Sequence, residues 1–357
     1  MNHQKKIILT GGGTFGHVGP NIALLEKLQE NGWTAHYIGS ANSIEEATIG
    51  KTGIPFYSIS AGKLRRYFSW QNLLDVARVK IGILQAIWLI FKLKPTLTFS
   101  KGGYVSFPVV FASWLNRVPV VTHESDVTPG LTTRLSMPFA RKICVTFERT
   151  ADFVKQKEKI VHTGLPVRPA LLNGKRERGL EFCKIDGSRP TILVMGGSLG
   201  SRFINENVRQ ALPKTLQVYN VVHLCGKGQV DALLSRENYV QFEYLQEELP
   251  DVLACADLVV GRAGATSLFE LLTLNKPHLL VPLSAKASRG DQIENAQFFE
   301  SQGISRVIQE EDLTPEKLVE AVETAFQNRE ESIARMKTFP LPDAINKILQ
   351  TIESCAK

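Results

Sequence analysis

Cysteine is scarce in this chain and is not paired. Five of the 357 residues are cysteines, an odd number, and no two of them form a Cys-x-x-Cys motif. Disulfide-stabilised and zinc-binding domains normally show such paired spacings. We therefore expect a protein of a reducing compartment, with neither a disulfide framework nor a zinc site.

Long hydrophobic runs are also lacking. The most apolar stretch, residues 81–91, has about half the length that a helix needs to span a bilayer. The polar residues 1–6 lead directly into the first strand-like run, so no signal peptide is expected. The chain is predicted to be soluble or bound at a surface.

The chain is long enough for two domains, and its charge is unevenly distributed between them. The net charge is +7, with an excess of Lys and Arg in residues 1–170 and an excess of Asp and Glu in the remainder. A basic half is typical of a domain that meets an anionic surface or substrate. A turn with two prolines at 163–169 predicts domains 1–163 and 164–341, followed by a C-terminal helix at 342–357 that packs back on the first domain.

Apolar runs of strand length alternate with helical patterns, which is typical of a parallel α/β sheet. Helices are predicted in the intervals, including one at 20–31 with Pro20 in its first turn and a short one at 229–234. The predicted strands cover residues 7–10, 35–38, 96–100, 118–122, 142–146 and 160–162, then 191–195, 218–224, 240–242, 258–261, 278–281 and 306–308.

The first strand of each half ends in a glycine-rich turn. Residues 10–20 read Thr-Gly-Gly-Gly-Thr-Phe-Gly-His-Val-Gly-Pro, and residues 196–200 read Gly-Gly-Ser-Leu-Gly. Such a turn leads into a helix whose first N–H groups lack helical partners, and these groups and the helix dipole attract an anionic ligand. The repeated device indicates two doubly wound domains that face a shared cleft.

The first turn also satisfies Gly-x-Gly-x-x-Gly, the fingerprint of NAD and flavin enzymes. Those enzymes need an acid at the end of the second strand to hold the ribose. Here that strand ends Tyr-Ile-Gly-Ser at 37–40, and the next acid is Glu45. A Walker A lysine is lacking too, since His17 follows the last glycine. We expect an anion or a polyol at this turn, and a nicotinamide-dependent oxidoreductase stays an alternative.

Two further motifs follow strands of the first half. Residues 100–106 read Ser-Lys-Gly-Gly-Tyr-Val-Ser, and residues 123–126 read His-Glu-Ser-Asp. Because the carboxyl ends of parallel strands meet at one edge, their side chains are expected to lie together and to include a general acid or base. The alternative is that His123 and Glu124 fix a turn or cap a helix. The side chains expected at this edge are His17, Tyr104, His123, Glu124 and Asp126.

The second half offers the elements of a nucleotide site. Residues 262–266, Arg-Ala-Gly-Ala-Thr, follow a strand and begin a helix that contains Glu270. A diphosphate at the start of this helix, with Glu270 on the ribose hydroxyls, would bind a nucleotide. Residues 288–295 follow the next strand with amide and carboxylate groups suited to a sugar. Asp126 or Asp291 could suggest a metal, but no Asp-x-Asp pair occurs, so no metal is expected.

Seven of these motifs, in this order and at these intervals, resemble the MurG family of GT-B glycosyltransferases of peptidoglycan synthesis. The resemblance covers essentially the whole chain and implies a GT-B fold, with two Rossmann-like doubly wound domains facing a central cleft. The motifs lie at 12–17 (Gly-Gly-Thr-Phe-Gly-His), 100–106, 123–131 (His-Glu-Ser-Asp-x-x-x-Gly-Leu), 164–168 (Gly-Leu-Pro-Val-Arg), 196–200, 262–266 and 291–296 (Asp-Gln-x-x-Asn-Ala).

The resemblance implies transfer of N-acetylglucosamine (GlcNAc) from UDP-GlcNAc to the C4 hydroxyl of the muramyl sugar of undecaprenyl-linked lipid I. The product would be lipid II, with inversion at the donor carbon. The resemblance also implies no metal and no cofactor, and a peripheral position on the cytoplasmic side of the cell membrane. The implied partners are UDP-GlcNAc, lipid I, the anionic membrane surface and cell-wall synthesis proteins, with no nucleic acid.

The resemblance also assigns binding residues, but it does not identify the catalytic base. For the catalytic base, which must take the acceptor proton, we predict His17 first, Asp126 second and Glu124 third. Phe15 stands where the family usually has a small residue, and Asp126 where many members have Asn. The implied donor-binding residues are Arg168, Ser198, Tyr244, Leu245, Ala265, Thr266, Glu270, Gln292 and Asn295. The residues implied to hold the acceptor diphosphate are Gly12, Gly13, Thr14, Gly16, Gly102, Gly103 and Tyr104.

A segment of mixed cations and aromatics, Lys-Leu-Arg-Arg-Tyr-Phe-Ser-Trp at 63–70, precedes the helix predicted at 70–92. This mixture is typical of an interface with anionic lipid. Within the helix, Ile83, Ile87 and Ile90 are predicted to be core residues. The residues predicted to contact the membrane are Arg65, Arg66, Tyr67, Phe68 and Trp70.

Three alternative functions stay open. They are another GT-B UDP-sugar transferase with a lipid acceptor such as diacylglycerol, the nicotinamide oxidoreductase, and a catalytically silent sugar-nucleotide-binding protein. The missing acid after the second strand argues against the oxidoreductase. The joint presence of His17, Glu124, Glu270 and Gln292 argues against a silent binding protein.

Overall fold

The chain divides into two compact units. A computed structural model describes residues 5–62, 70–197 and 200–356. One unit comprises Met1–Val167 with Leu341–Lys357, and the other comprises Arg168–Pro340. The division therefore lies a few residues after the boundary predicted at 163, and the C-terminal helix belongs to the first unit.

A parallel sheet of seven strands forms the centre of the first unit, in the order β3-β2-β1-β4-β5-β6-β7. The strand order reverses between β1 and β4, and open α/β sheets bind their ligands at such a reversal. The turns after β1 and β4 therefore flank the expected ligand position. The strands are β1 (Lys5–Thr10), β2 (Trp33–Ser40), β3 (Phe56–Ile59), β4 (Leu97–Ser100), β5 (Val120–Glu124), β6 (Lys142–Val145) and β7 (Ile160–His162).

A parallel sheet of six strands forms the centre of the second unit, in the order β10-β9-β8-β11-β12-β13. Here the order reverses between β8 and β11, so the turns after these strands flank the corresponding position. The strands are β8 (Thr191–Met195), β9 (Asn220–Leu224), β10 (Tyr239–Phe242), β11 (Leu258–Gly261), β12 (His278–Leu280) and β13 (Arg306–Val307).

Helices cover both faces of the first sheet, because alternate residues of its strands point to opposite sides. Ile7 and Leu9 pack in one core cluster with the first and last helices, whereas Ile8 packs in another cluster with the helices Trp70–Leu93 and Ser106–Leu115. The helices are α1 (Phe15–Glu30), α2 (Ile44–Ile49), α3 (Trp70–Leu93), α4 (Ser106–Leu115), α5 (Leu131–Ser136), α6 (Arg176–Cys183), α7 (Arg202–Thr215), α8 (Leu249–Cys255), α9 (Ala265–Thr273), α10 (Asp291–Ser301), α11 (Pro315–Gln327), α12 (Arg329–Thr338) and α13 (Ala344–Ala356).

Two helix predictions were wrong. Helix α1 begins at Phe15, so Pro20 lies inside the helix, where it has no N–H to donate to the Gly16 carbonyl oxygen. The predicted helix at 229–234 is a series of turns. The Gln241 side chain holds these turns by accepting from the Asp231 N–H and donating to its carbonyl oxygen. The position of α1 matters for function, because it places His17 in the first helical turn.

Candidate active site

The two glycine turns of the first unit pack against each other, backbone to backbone. The Gly12 N–H donates to the Gly102 carbonyl oxygen over 3.3 Å. A Cβ on Gly103, whose φ is +85°, would lie 2.0 Å from the Gly12 carbonyl oxygen. No side chain fits there, so glycine at position 103 is what lets the turns after β1 and β4 meet at the reversal of the strand order.

The His17 imidazole lies against the second of these turns. A Cβ built on Gly102 would be 3.9 Å from both Cε1 and Nδ1 of His17, and 3.4 Å from Oγ1 of Thr133 on α5. The His17 side chain is half-buried. The Phe15 ring covers Gly19, one turn further along α1. The structure thus brings His17 to the position where the sequence predicted a ligand.

Glu124 shapes the loop that follows β5. Its carboxylate is 4% exposed. Oε1 accepts from the N–H groups of Ser125 (2.8 Å) and Asp126 (3.1 Å), and Oε2 accepts from the N–H of Gly130 (3.1 Å). Both oxygens are therefore engaged in holding residues 125–130. Asp126 lies in this loop and is half-buried.

Two basic side chains are buried beneath this loop. Lys101 is 1% exposed and donates to Oγ of Ser125. Burial lowers the pKa of Lys101 to about 8, although the nearby carboxylates of Glu124 and Asp126 act in the opposite direction. His123 does not join the ligand edge, contrary to prediction. It is fully buried, with Nε2 2.8 Å from the Gly164 carbonyl oxygen, and burial holds its pKa well below its ordinary value, so it donates as a neutral imidazole.

A buried ion pair marks the second unit. Nε and Nη2 of Arg168 donate to Oε1 of Glu270 over 3.0 and 2.9 Å, and the side chains are 17% and 9% exposed. Burial raises the pKa of Glu270, and Arg168 partly offsets this. Tyr244, which is 42% exposed, lies near enough for both charges to act on its hydroxyl, whereas Leu245 is buried.

Polar side chains tie together the turns around the start of α9. Asn295 is buried and donates through Nδ2 to the Ala263 carbonyl oxygen, and Oε1 of Gln292 accepts from the Leu283 N–H over 3.0 Å. Ala265 is buried and Thr266 is half-buried at the helix start. Ser198 lies outside the described residues.

Arg262 is a residue whose role the sequence did not reveal. Its guanidinium donates to the carbonyl oxygens of Val281 and Pro282, to Oγ of Ser201 and to Oε1 of Glu310. It therefore joins the chain segments after β8, β12 and β13. The position of Arg262 directly after a strand could have indicated a structural role. Its partners could not be predicted, because they are distant from it in the sequence.

An apolar face of α3 is exposed. Arg65, Arg66, Tyr67 and Phe68 lie outside the described residues, as does the side chain of Trp70. The prediction that Ile90 is a core residue is confirmed, and Ile83 and Ile87 are half-buried. Among residues 75–93 of α3, the exposed large apolar side chains are Val76 (43%), Ile81 (50%), Leu84 (69%), Trp88 (58%) and Phe91 (67%).

Neither a metal cluster nor a membrane span occurs in the described part of the chain. Across residues 5–62, 70–197 and 200–356, no three His, Cys, Asp or Glu side chains are grouped closely enough to hold a metal ion. In the same ranges, no helix combines the length and the apolar content needed to cross a bilayer.

Comparison with known proteins agrees with this arrangement. Residues 7–145 match the N-terminal domain of glycosyltransferase family 28, and residues 191–348 match its C-terminal domain. A crystal structure of MurG from Acinetobacter baumannii aligns with a TM-score of 0.74 at 25% identity, covering 98% of this chain and 99% of that chain.

Curated relatives extend the match over the full length. The UDP-N-acetylglucosamine–N-acetylmuramyl-(pentapeptide) pyrophosphoryl-undecaprenol N-acetylglucosamine transferase of Legionella pneumophila (strain Paris) is 49% identical over 98% of this chain and 97% of that protein. Transferase 2 of the same name from Bacillus cereus (strain ATCC 14579) is 52% identical over 98% and 99%. The chain belongs to the MurG family. The predicted GT-B-like architecture of two α/β domains, as in MurG, is therefore confirmed, and the oxidoreductase alternative is not favoured.

Proposed function

We propose that this MurG-family chain transfers GlcNAc from UDP-GlcNAc to the C4 hydroxyl of the muramyl sugar of lipid I and so forms lipid II. The observation that carries the proposal is the match, over nearly the full length of both proteins, to transferases named for this reaction. The polar groups beside the strand reversals of both sheets also support it.

UDP-GlcNAc is assigned to the second unit. The diphosphate lies at the start of α9, at Ala265 and Thr266, where the helix dipole favours an anion. Ser198 is assigned to the same diphosphate on the resemblance of its motif. Glu270 faces the ribose hydroxyls through Oε2, since Arg168 holds Oε1 in place. An ionised carboxylate is suited to this role because it accepts hydrogen bonds from hydroxyl groups.

The uracil and the GlcNAc of the donor are assigned to further side chains of the second unit. Tyr244 and Leu245 are assigned to the uracil. Gln292 is fixed through Oε1 to the Leu283 N–H, so its Nε2 group is oriented to donate to the oxygen atoms of the sugar. Asn295 supports the turn before α9 from behind, through the Ala263 carbonyl oxygen.

Lipid I is assigned to the first unit. Its diphosphate lies at Thr14 and Gly16, at the start of α1, and at the turn of Gly102 and Gly103. The N–H groups of Gly12 and Gly13 donate within the protein. These two glycines therefore contribute the close backbone packing, while Tyr104 contacts the acceptor from the second turn.

His17 is the first candidate for the base that removes the acceptor proton. An inverting transfer needs such a group as the donor bond breaks. His17 is half-buried beside Gly102. Asp126 is the second candidate, because it lies in the loop after β5, the strand that pairs with β4. Glu124 ranks third, because both of its oxygens accept backbone N–H groups and a positioning role suits it better. The reaction as proposed uses no metal ion and no cofactor.

The exposed face of α3 is assigned to the cytoplasmic surface of the cell membrane, where a lipid-linked acceptor resides. Its side chains include Leu84, Trp88 and Phe91, and the Lys92 ammonium lies 4.8 Å from the centroid of the Trp88 ring. Apolar and aromatic side chains beside a cation suit the interface of an anionic bilayer. For residues 65–70, which lie outside the described side chains, membrane contact stays a prediction from the sequence. Other cell-wall synthesis proteins are proposed partners.

Comparison of acceptors tests the proposal. UDP release from UDP-GlcNAc is measured with a short-chain lipid I analogue and, separately, with diacylglycerol. We expect release with the lipid I analogue alone. Faster release with diacylglycerol would instead support the other lipid-acceptor transferase. Tight NADH binding without UDP-GlcNAc binding would refute both transferase hypotheses.

A further inference from the structure

Glu45 is a fully buried carboxylate that the reaction as described does not use. It lies on the short helix α2 and is 0% exposed. Its Oε2 accepts from the Gly13 N–H over 3.2 Å, and its Oε1 accepts from the Ser40 hydroxyl over 2.5 Å. Glu45 thus joins the end of β2 to the first glycine turn.

The backbone around Glu45 leaves space for this carboxylate. A Cβ on Gly12 would lie 2.4 Å from Oε1 of Glu45, and a Cβ on Gly39 would lie 3.0 Å from its Cγ. A side chain at position 12 would therefore collide with the carboxylate, and one at position 39 would crowd both the Glu45 side chain and the Phe56 ring. Any side chain at position 12 would push Glu45 away from Gly13.

The hydrogen bonds continue from Glu45 through Ser40 to Tyr104, and the donor of each bond can be assigned. Oγ of Ser40 is 2.8 Å from the Tyr104 hydroxyl oxygen. A serine hydroxyl has one hydrogen, and Ser40 donates it to Glu45. The Tyr104 hydroxyl must therefore donate to Ser40. Burial raises the pKa of Tyr104, so it keeps the proton that it donates.

We propose that Glu45 is a positioning residue for the acceptor, which holds the first glycine turn through Gly13 and, through Ser40, turns the Tyr104 proton away from the substrate. Tyr104 then presents its oxygen as a hydrogen-bond acceptor, and it is suited to a hydroxyl or N–H group of the acceptor sugar. This replaces the diphosphate contact that the resemblance implied for Tyr104. The inference rests on the proposed function, because it concerns the same acceptor.

Kinetics of Ser40→Ala and Glu45→Gln, alone and combined with Tyr104→Phe, test the inference. Ser40→Ala removes the link to Tyr104 and keeps the bond between Glu45 and Gly13. We expect the KM for a short-chain lipid I analogue to rise about five- to tenfold, the effect of one hydrogen bond. The affinity for UDP-GlcNAc should not change. In the Tyr104→Phe background the same substitution should have less than about a twofold effect, because the pair then acts as one unit.

The matched control is Glu46→Gln, which changes the next carboxylate of α2. Its side chain accepts from the Asn42 N–H over 2.6 Å. This variant should keep the acceptor KM of the unmodified protein. Hydrogen exchange adds a readout without substrate: Glu45→Gln should speed exchange in the peptide of residues 10–16, and Glu46→Gln should not.

The outcomes separate the two proposals. If the unmodified chain does not turn over the lipid I analogue, the proposed function fails and the acceptor role of Glu45 fails with it. If the unmodified chain is active, an unchanged acceptor KM in both Ser40→Ala and Glu45→Gln overturns the positioning role alone. An equal effect of Ser40→Ala in the presence and absence of the Tyr104 hydroxyl also overturns it.

Discussion

The Arg168–Glu270 pair gives the sharpest prediction for the second unit. Replacing Arg168 by Leu leaves the Glu270 carboxylate, 9% exposed, without the two hydrogen bonds at 2.9 and 3.0 Å. Removing one partner of a buried ion pair costs about 3–5 kcal/mol. Because 17% of the Arg168 side chain is exposed, we expect a loss near the lower end, about 3 kcal/mol.

The loss should depend on pH in a defined direction. Burial already raises the pKa of Glu270, and removal of Arg168 raises it further, because Arg168 lowers it. A carboxyl group with a raised pKa in the folded state binds its proton more readily when folded, so it lowers stability increasingly as the pH rises. The deficit of Arg168→Leu should be larger at about pH 8 than at about pH 5.

Hydrogen exchange of the α9 amides measures the free energy of local opening without assuming that the two units unfold together. The control is Arg335→Leu, which breaks the pair with Glu331. That pair is closer, at 2.6 Å, but its side chains are 51% and 64% exposed. Exposed pairs contribute about 0–1 kcal/mol. Equal losses in the two variants, or a loss of Arg168→Leu that is the same at both pH values, would contradict a stabilising buried pair of Arg168 and Glu270.

Three further changes test the first unit. His17→Ala should lower turnover about 100-fold with UDP-GlcNAc affinity unchanged, and near-normal turnover would exclude His17 as the base. Gly103→Ala should abolish transfer, because its Cβ would lie 2.0 Å from the Gly12 carbonyl oxygen, and a fully active variant would contradict the described packing. Leu84→Ser with Trp88→Ser should weaken sedimentation with anionic vesicles, whereas sedimentation equal to that of the unmodified chain would remove α3 from the membrane surface.

The sequence predicted the strands that flank the proposed ligand positions, because these strands are buried on both faces. All four residues of β4 and of β11 are buried, as are the last four of β1 and the first four of β8, and each strand is followed by a motif that contains glycine. Strand β3 escaped detection because it lies at the sheet edge, where of its four residues only Ile59 is buried. Helix α12 escaped because it has a single buried residue, Met336, and therefore no apolar stripe.

The role of Glu45 shows what spacing along the chain cannot reveal. Because Glu45 follows β2 too late for a ribose-binding acid, its position argued against a dinucleotide site. Helix α2 folds back, however, and places the carboxylate on the Gly13 N–H of the turn itself. A similar limit applied to His17, since the proline rule placed the helix start at Pro20, whereas Thr14 is the N-cap. The position of the Glu45 carboxylate and the start of α1 both differ from what the local sequence patterns predict.

Over its described side chains, from residue 75 to 93, helix α3 carries two apolar faces, one of which packs on the sheet. Ala86 and Ile90 are buried in the core, whereas Leu84, Trp88 and Phe91 are 69%, 58% and 67% exposed. A surface helix needs only one apolar stripe, so the second requires another apolar environment. Full burial of such a side chain contributes about 1.5–3 kcal/mol. Even partial insertion of three of them would therefore be enough to support the proposed contact of this unit with a bilayer.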